Sequence, residues 1–437
     1  MWNYYFKLGL MSLRRNPILT SLMVLILGFG VGASMTAYTV MHVLGGDPIP
    51  HKSGKMFVPQ LDTGSAEDYK AGDEPDLQLG YLDTDAMLRA RHGSNRTAVY
   101  GIAPIVDAQR KDLPPSGEAG LAMTRGFFEM FELPFRFGGP WNAAEDDAGS
   151  DVVVIGRVLS EKLFGAEDPS GRSVRLADRD YRIVGVLDLW RPVPRYYRLL
   201  SGSSPTESEQ VMVPFRNAIS REWRNDGWTN CNGSSPDEPG FAGFLKRECN
   251  WIQYWVQLND AAAVAEYRDY LAAHLAQQRK LGRFKRPDNI RLRDVREWLA
   301  FNDVVDADTR LQTYLAFGFL LVCIVNVVGL LLAKFTARSG EIGVRRALGA
   351  TRGNIISQYL VETVVIGLAG ALLGLALSYA GLLVVDHYSF ESAGIAKHDP
   401  WMVAATVAVA IVSAVLAGLL PTWRAALQVP ALQLKSQ

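Results

Sequence analysis

Four long apolar runs constrain this chain more than any other feature of its sequence. They cover Ile18–Leu44, Leu311–Ala333, Thr363–Val385 and Trp401–Leu420, and each is nearly free of charged side chains. At about 1.5 Å per residue, helices of about 20 residues cross the roughly 30 Å hydrocarbon core of a bilayer. Backbone polar groups find no water there, so each run is predicted to form a transmembrane helix. The first run is too long for the apolar part of a signal peptide.

Lysine and arginine side chains near the ends of these runs predict their orientation. Lys7, Arg14 and Arg15 precede the first run, and residues 334–358 carry several arginines against one acid, Glu341. Positive charge favours the cytoplasmic side of a membrane. Both chain termini and residues 334–358 are therefore expected in the cytoplasm, and the other connecting segments outside it.

The chain is thus predicted to be an α-helical membrane protein with four transmembrane helices and a large mixed α/β domain between helices 1 and 2. The predicted segments are a cytoplasmic interfacial helix (1–17), the first span (18–44), the outer domain with a stalk (45–310), the second span (311–333), a cytoplasmic loop with a short helix (334–358), the third span (359–385), a short outer loop (386–400), the fourth span (401–423) and a cytoplasmic tail (424–437).

Local patterns in the outer domain predict both strands and helices. Residues 150–165 read as a strand followed by a helix, and 174–187 as a hairpin with its turn at Ala177–Asp180. Residues 251–258 are typical of a strand, and 260–282 of a helix with Asp260 at its N-cap.

Two further segments of this region carry weaker patterns. Residues 201–250 are rich in Ser, Pro, Gly and acidic side chains, which favours an exposed loop or insertion. Residues 291–312 are predicted to form a helix that continues into the second span. That helix would be a stalk between the outer domain and the membrane.

Glycine and cysteine positions add two structural expectations. Gly367, Gly370 and Gly374 lie on one face of the third span, where small side chains let helices approach closely. Cys231 and Cys249 lie in the outer domain, where an oxidising compartment permits a disulfide; two free thiols are the alternative. Closing such a loop contributes roughly 3 kcal/mol in the chain-entropy description.

Common catalytic motifs are missing from the sequence. It contains no G-x-x-x-x-G-K-[ST] loop, no H-E-x-x-H motif, no zinc-type cysteine spacing and no G-x-S-x-G elbow. The formal net charge is zero, so no overall field favours nucleic acid. The sequence therefore nominates no ATPase site, metal site or other catalytic centre on this chain.

The segment Glu341–Asn354 lies between the second and third spans. Glu341 near a helix start and Arg345 and Arg346 near its end suit the helix dipole, and Gly349 is expected to end the helix. A new helix begins at about Arg352. The segment could dock on a soluble partner, or it could be a basic loop that holds the orientation in the membrane; its residues leave both interpretations open.

Three stretches resemble a known family. E-I-G-V-R-R-A-L-G-A, Glu341–Ala350, resembles the signature of the FtsX/MacB-type permeases of ABC transporters. Residues 152–187 are similar to the MacB-type periplasmic core. Residues 420–437 resemble the C-terminal ending of the family in part, since Thr422 and Trp423 depart from its pattern.

The resemblance implies a separate ABC ATPase subunit that binds ATP and Mg, with no cofactor on this chain. Two permeases, identical or paralogous, would assemble with two ATPase subunits, and residues 338–352 would form the coupling helix. The stalk at about 295–312 would pass its movement outward. By this resemblance, Glu341, Arg345 and Arg346 would pair with charges on the ATPase. Ile342 and Leu348 would fill its groove, and Gly343 and Gly349 would allow close approach to it.

Within this resemblance, the leading expectation is a non-catalytic permease of a bacterial inner membrane that exports peptides, toxins or drugs. Its further partners would be a membrane-fusion adaptor and an outer-membrane channel. The alternatives are a lipoprotein-releasing permease and an FtsX-like regulator of a periplasmic cell-wall hydrolase. A membrane-anchored enzyme is the least favoured reading, because no catalytic constellation is present.

The disulfide gives a direct test. Mass spectrometry of non-reduced peptides should recover Cys231 linked to Cys249, because the outer domain is expected in an oxidising compartment. Alkylation of both thiols in the native, unreduced protein would contradict this prediction.

Overall fold

The computed structural model describes residues 16–64, 66–67, 69–70, 72–110, 112–199, 209–231, 238–388 and 400–427, without the side chains of 386–388. The chain forms two compact units, Met1–Gly46 with Val305–Gln437, and Asp47–Val304. The interfacial helix predicted for 1–17 lies outside the described residues except for its last two positions. Most of the outer loop 386–400 and of the tail 424–437 also lies outside them.

The described residues form the following regular elements. The helices are α1 (Pro17–Leu44), α2 (Tyr81–Ala90), α3 (Gly126–Met130), α4 (Ala143–Ala148), α5 (Arg157–Phe164), α6 (Phe215–Ser220), α7 (Gly240–Lys246), α8 (Ala261–Lys280), α9 (Val295–Phe301), α10 (Ala307–Thr336), α11 (Ser339–Ala347), α12 (Arg352–Tyr388) and α13 (Pro400–Leu427). The strands are β1 (Met56–Leu61), β2 (Leu79–Gly80), β3 (Asn95–Ile102), β4 (Ile105–Asp107), β5 (Ser116–Gly117), β6 (Gly120–Met123), β7 (Phe135–Gly138), β8 (Val152–Ile155), β9 (Ser173–Leu176), β10 (Arg179–Leu187), β11 (Val211–Pro214), β12 (Asn230–Cys231), β13 (Cys249–Gln257) and β14 (Ile290–Asp294).

Four helices, α1, α10, α12 and α13, are long and apolar enough to cross a membrane. A mixed α/β domain lies between α1 and α10 in the chain, which confirms the predicted fold class. Pro17 occupies the first turn of α1, where its missing N–H leaves no helix hydrogen bond unmade. α10 begins at Ala307, and the side chain of its N-cap Asp306 accepts a hydrogen bond from the Thr309 amide.

The helices of the membrane unit pack closely through glycine. A Cβ atom added to Gly367 would lie 2.7 Å from the Cβ atom of Ala414 in α13. Cβ atoms added to Gly370 and Gly374 would lie within 2.9 and 3.0 Å of Leu27 and Val31 of α1. The three glycines thus face two different neighbouring helices, and their small size permits both contacts.

The continuous stalk helix predicted over 291–312 is wrong. Residues 290–294 form β14, α9 ends at Phe301, and α10 starts at Ala307. Asp294 caps α9 in a capping box with Glu297, and Asp306 caps α10. Between them, Asp303 adopts a left-handed φ of 46°, which ends regular helix. Aspartate side chains that bond the backbone locally compete with helix continuation here.

The outer unit is built on one large sheet. Its strand order is β14-β1-β13-β3-β6-β11-β8-β10-β9-β4-β5, with β2 and β12 paired to β13 and β7 paired to β10. Successive residues of central strands enter two different cores: Ala98 and Tyr100 lie in one, and Val99 lies in the other. Because side chains alternate across a strand, the sheet is buried on both faces.

Several local predictions for this unit are confirmed. β8 is followed by α5, and β9 and β10 form an antiparallel hairpin. Ala177 takes a left-handed φ of 53° in the turn of that hairpin. Residues 249–257 form β13, and the Asp260 side chain caps α8 by accepting a hydrogen bond from the Ala263 amide.

The expectation of an exposed loop over 201–250 is wrong for part of that segment. β11 lies inside the sheet, parallel to β6 and antiparallel to β8, and its apolar side chains are fully buried. The composition of the whole segment hides the short apolar run of β11, and a buried strand needs only such a run. Residues 200–208 and 232–237 lie outside the described part of the chain.

Cys231 and Cys249 form a disulfide between β12 and β13, with an S–S distance of 2.04 Å. Hydrogen bonds hold the same hairpin against the preceding loop. Asn230 Nδ2 donates to Asp76 Oδ1 at 2.7 Å, and Asn250 Nδ2 donates to Thr63 Oγ1 at 2.6 Å. The disulfide and these amides together fix one end of the insertion to the sheet.

A buried ionic cluster joins α2 to α8 and to the loop after it. His274 Nε2 lies 2.8 Å from Asp83 Oδ1, and Arg283 Nη2 lies 2.5 Å from Asp83 Oδ2. Burial alone would raise the pKa of Asp83. Hydrogen bonds from His274 and Arg283 and the charge of Arg283 outweigh it, and they hold the pKa below its ordinary value. The ionised carboxylate is therefore the form that the fold stabilises.

Asp83→Asn should destabilise the outer unit by about 3–5 kcal/mol at neutral pH, because it breaks a buried pair by removing one partner. The folded pKa is lowered, so the contribution of Asp83 is complete above its unfolded pKa of 3.8 and is lost as the pH falls below it. The measurement is denaturant unfolding of the full chain in detergent, followed by tryptophan fluorescence. The difference in free energy of unfolding between wild type and variant should become smaller below that pH.

The exposed Asp112 gives a matched control for this prediction, because it pairs with Arg110 at the surface. Asp112→Asn should leave the unfolding midpoint nearly unchanged. If the loss of unfolding free energy in Asp83→Asn stays constant with pH, the role of the ionised carboxylate is contradicted.

Candidate functional site

The segment between α10 and α12 folds as one short helix, α11, with a defined end. Gly349 has a φ of 98°, which an L side chain rarely adopts. Its amide donates to the Arg346 carbonyl, and the Ala350 amide donates to the Arg345 carbonyl, both at 3.1 Å. This is the Schellman pattern of helix termination. α12 starts three residues after Gly349, at Arg352. Gly349 therefore sets the turn, as the sequence predicted.

The inner face of α11 is packed into the helix bundle. Ile342 is 2% exposed and shares a core with Phe335, Ile355 and Tyr359, and Gly343 is also buried. The ring centroids of Phe335 and Tyr359 are 4.3 Å apart, so the two rings pack against each other within that core. The expectation that Ile342 fills a groove on an ATPase is corrected here, because its side chain is already covered by its own chain. The same burial leaves Gly343 without a surface for close approach to a partner.

The outer face of α11 presents apolar side chains to the surroundings. Leu348 is 83% exposed and Val344 is 53% exposed. They are four residues apart and so lie on one helix face. The docking role of Leu348 stays a prediction, and its exposure permits that role; the sequence pattern did not select Val344. The i, i+4 spacing to Leu348 was the signal that could have found it.

The charged side chains of α11 make contacts within the chain. Arg345 Nη2 lies 2.6 Å from Glu341 Oε1, and Arg345 Nη1 donates to Gln358 Oε1 of α12 at 2.6 Å. Glu341 and Arg345 are each between one third and two fifths exposed. Arg346 is half-buried. These contacts stiffen α11 and tie it to α12.

Sequence reasoning missed a buried ion pair between α10 and α12, the two helices that α11 connects. Lys334, in the last turn of α10, lies with its Nζ atom 2.5 Å from Glu362 Oε1 of α12. Their side chains are 0% and 2% exposed. Each lies near the end of an apolar run, where an interfacial position is the ordinary expectation for a charged side chain. Arg338 Nη1 lies 3.6 Å from the same carboxylate oxygen.

No other part of the described chain offers a comparable candidate. A cavity of about 330 Å³ in the outer unit is lined by Arg110, Arg172 and Arg175. Each of these arginines is paired with an acidic side chain, Asp112, Glu167 or Asp180. Among the described residues, no three His, Cys, Asp or Glu side chains are grouped to hold a metal ion. The cavity therefore shows no arrangement typical of a catalytic centre.

Comparisons with known families match both units of the chain. Residues 20–274 match the MacB-like periplasmic core domain, and residues 314–430 match the FtsX-like permease C-terminal domain. The chain thus combines four candidate membrane helices with a mixed α/β domain of periplasmic type, which defines a multi-pass membrane protein of the permease class. It belongs to the MacB/FtsX-like family of ABC transporter permeases.

Individual relatives are distant. The macrolide export ATP-binding/permease protein MacB of Neisseria gonorrhoeae is 24% identical over 279 residues, covering 60% of this chain and 35% of that protein. The uncharacterized ABC transporter permease YknZ of Bacillus subtilis is 24% identical over 304 residues, covering 69% of this chain and 66% of that protein. The match therefore spans between about a third and a half of the length of the MacB relatives.

Two solved structures are similar to part of this chain. The periplasmic region of MacB from Actinobacillus actinomycetemcomitans has a TM-score of 0.36 at 10% identity, and the match covers 59% of this chain and 96% of that one. The extracellular domain of YknZ has a TM-score of 0.31 at 13% identity, covering 48% of this chain and 87% of that one.

The two faces of α11 can be separated by mutation. Ile342→Ala should lower the free energy of unfolding by about 2–5 kcal/mol, because it leaves a cavity in a packed core. Leu348→Ala should change it by less than about 0.5 kcal/mol, since it removes an exposed side chain. Thermal unfolding of the detergent-solubilised chain checks both variants. Equal losses for the two variants would contradict the assignment of the faces.

Proposed function

We propose that this chain is the permease subunit of an ABC transporter that couples ATP hydrolysis on a separate ATPase subunit to conformational change in the outer domain. The observation that carries the proposal is the exposed pair Val344 and Leu348 on a helix whose opposite face is fixed in the bundle. Apolar side chains on such a helix are suited to fill a groove on a soluble partner. The fixed face is suited to pass a displacement to the membrane helices.

The proposed composition of the assembly rests on a motif that the sequence lacks and on the names of its relatives. The sequence contains no Walker A motif, so ATP and Mg would be bound by the ATPase subunit. The Bacillus subtilis relative is named as a permease, whereas the MacB relatives are named as ATP-binding and permease proteins together. Two permeases, identical or paralogous, would assemble with two ATPase subunits.

Mechanical transmission fits the chemistry of the spans better than an ion or substrate path. The buried charges Lys334 and Glu362 are directed at each other. The four apolar runs themselves contain no Asp, Glu, Lys or Arg, and a route for ions through a membrane is usually marked by such side chains. In the proposed cycle, ATP-driven closure of the ATPase pair moves α11, and the helices pass this movement to the outer domain.

Export is the use that the relatives favour, because the MacB proteins are named for macrolide export. We place the chain in a bacterial inner membrane with both termini in the cytoplasm and the outer domain in the periplasm. Peptides, toxins or drugs would leave through a tripartite assembly with a membrane-fusion adaptor and an outer-membrane channel. Val344 and Leu348 would seat on the ATPase, and Arg346 would add charge complementarity at the edge of the contact.

Affinity purification from membranes in mild detergent separates this reading from its alternatives. An ATPase recovered with a membrane-fusion protein supports export. An ATPase recovered with a lipoprotein supports lipoprotein release, and an ATPase with a cell-wall hydrolase supports a regulatory role. Failure to recover an ATPase from repeated preparations would overturn the proposal.

Leu348→Asp should abolish most of the ATPase stimulation by the permease, because it places a carboxylate in an apolar contact. A reduction of at least about tenfold corresponds to about 1.4 kcal/mol of lost interaction. The rate of ATP hydrolysis is measured in proteoliposomes with the ATPase subunit that co-purifies with the wild-type chain.

The matched control is Leu281→Asp, at a similarly exposed leucine of the outer unit. It should leave the stimulation unchanged. Wild-type stimulation by the Leu348→Asp variant would rule out α11 as the coupling helix.

A further inference from the structure

Two cationic side chains meet one carboxylate inside the membrane unit, and the three residues come from three segments. Lys334 comes from the end of α10, Arg338 from the residue before α11, and Glu362 from α12. Glu362 Oε1 lies 2.5 Å from Lys334 Nζ and 3.6 Å from Arg338 Nη1. Lys334 and Glu362 are almost completely buried, and Arg338 is 14% exposed.

Fold stability alone does not account for a charge cluster in this position. Taking two ions out of water carries a desolvation cost that their mutual attraction often fails to exceed. Apolar side chains of similar volume at such sites are frequently neutral or stabilising. Phe335, next to Lys334 in the chain, and Tyr359, one turn before Glu362, belong to an apolar core. A buried pair near a membrane helix end therefore points to a functional role.

The cluster forms one of two links between α11 and the same face of α12. Arg338 reaches Glu362 at the start of α11, and Arg345 reaches Gln358 near its end. Gln358 and Glu362 are four residues apart and so lie on one helix face. Ile342 packs between the two links. α11 is thereby fixed along α12 at two points, with α10 tied to the same carboxylate through Lys334.

We propose that Glu362 is a positioning residue for coupling: it holds α11, α10 and α12 as one body, so that a displacement of α11 moves both membrane helices together. This inference rests on the proposed docking of an ATPase on α11. Without the carboxylate, α11 keeps its Arg345 link and its Ile342 contact but loses the ionic contact at its start. α10 keeps its packing on α12 through Phe335 and Tyr359 but loses the ionic contact of Lys334.

Two sets of variants test the proposal without leaving a fully buried charge alone. Lys334→Met/Glu362→Gln removes both members of the buried pair, so the fold should be retained. Arg338→Gln removes the guanidinium that contacts Glu362 from the start of α11, and it leaves Lys334 paired with Glu362. The control is Thr406→Val, which removes a buried hydroxyl from α13 that bonds within its own helix.

The first readout is ATPase stimulation per assembled complex, in proteoliposomes with the co-purifying ATPase subunit. Both test variants should reduce it by at least about fivefold, the lower end of typical coupling between sites, while the midpoint of thermal unfolding stays near that of the wild type. Thr406→Val should stimulate as the wild type does. Wild-type stimulation by both test variants would overturn the proposal, whether or not their stability falls.

The second readout needs no ATPase. A spin label on Leu348→Cys, in a chain with Cys323→Ala, reports the mobility of α11 in the permease alone. The label should become more mobile in both test variants, and an unchanged spectrum would overturn the positioning role. If the wild-type chain stimulates no ATPase but the label is still more mobile in the variants, the proposed function is wrong. The role of Glu362 in holding α11 against the membrane helices is then still supported.

Discussion

Hydrocarbon offers a peptide group no hydrogen-bond partner, and the architecture of this chain depends on that constraint. An unpaired backbone N–H or C=O there costs several kcal/mol, so α1, α10, α12 and α13 are unbroken helices of 28 to 37 residues. Lipid gives these helices no hydrophobic driving force to associate. Van der Waals packing at close approach and interhelical hydrogen bonds stabilise the association instead. Gly374 lets α12 approach α1, and the Ser34 hydroxyl of α1 donates to the Ala316 carbonyl of α10 at 2.8 Å.

The short helix α11 has one face in the bundle and one exposed face. Its inner side is part of the bundle core through Ile342, and its outer side presents Leu348 to the surroundings. A helix of nine residues has little more than two turns, so each face carries only a few apolar side chains. Ion pairs and the glycine turn supply the rigidity that so small an apolar contact lacks. This division explains why one sequence motif combines apolar, charged and glycine positions so densely.

Sequence patterns predicted the parts of this structure that one local property decides. Length and hydropathy located the spans, and the Asp260 cap located the start of α8. The stalk failed because Asp294 and Asp306 cap two separate helices, and helical periodicity does not register a cap. Hydrophobic pattern marked Ile342 and Leu348 alike, since it cannot tell which apolar face packs on the chain itself. The pairing of Lys334 with Glu362 joins positions on different helices, and no local pattern encodes it.

The order of the strands has a consequence for how the outer domain is joined to its chain. β1 and β14, the first and last strands of the domain, are antiparallel neighbours, and Asp47 lies 3.4 Å from Arg296. The entry and exit of the domain therefore lie side by side. Domains with adjacent ends tolerate insertion into other chains. Evolution could exchange or enlarge everything between this strand pair as one module, while the segments on either side keep their sequence.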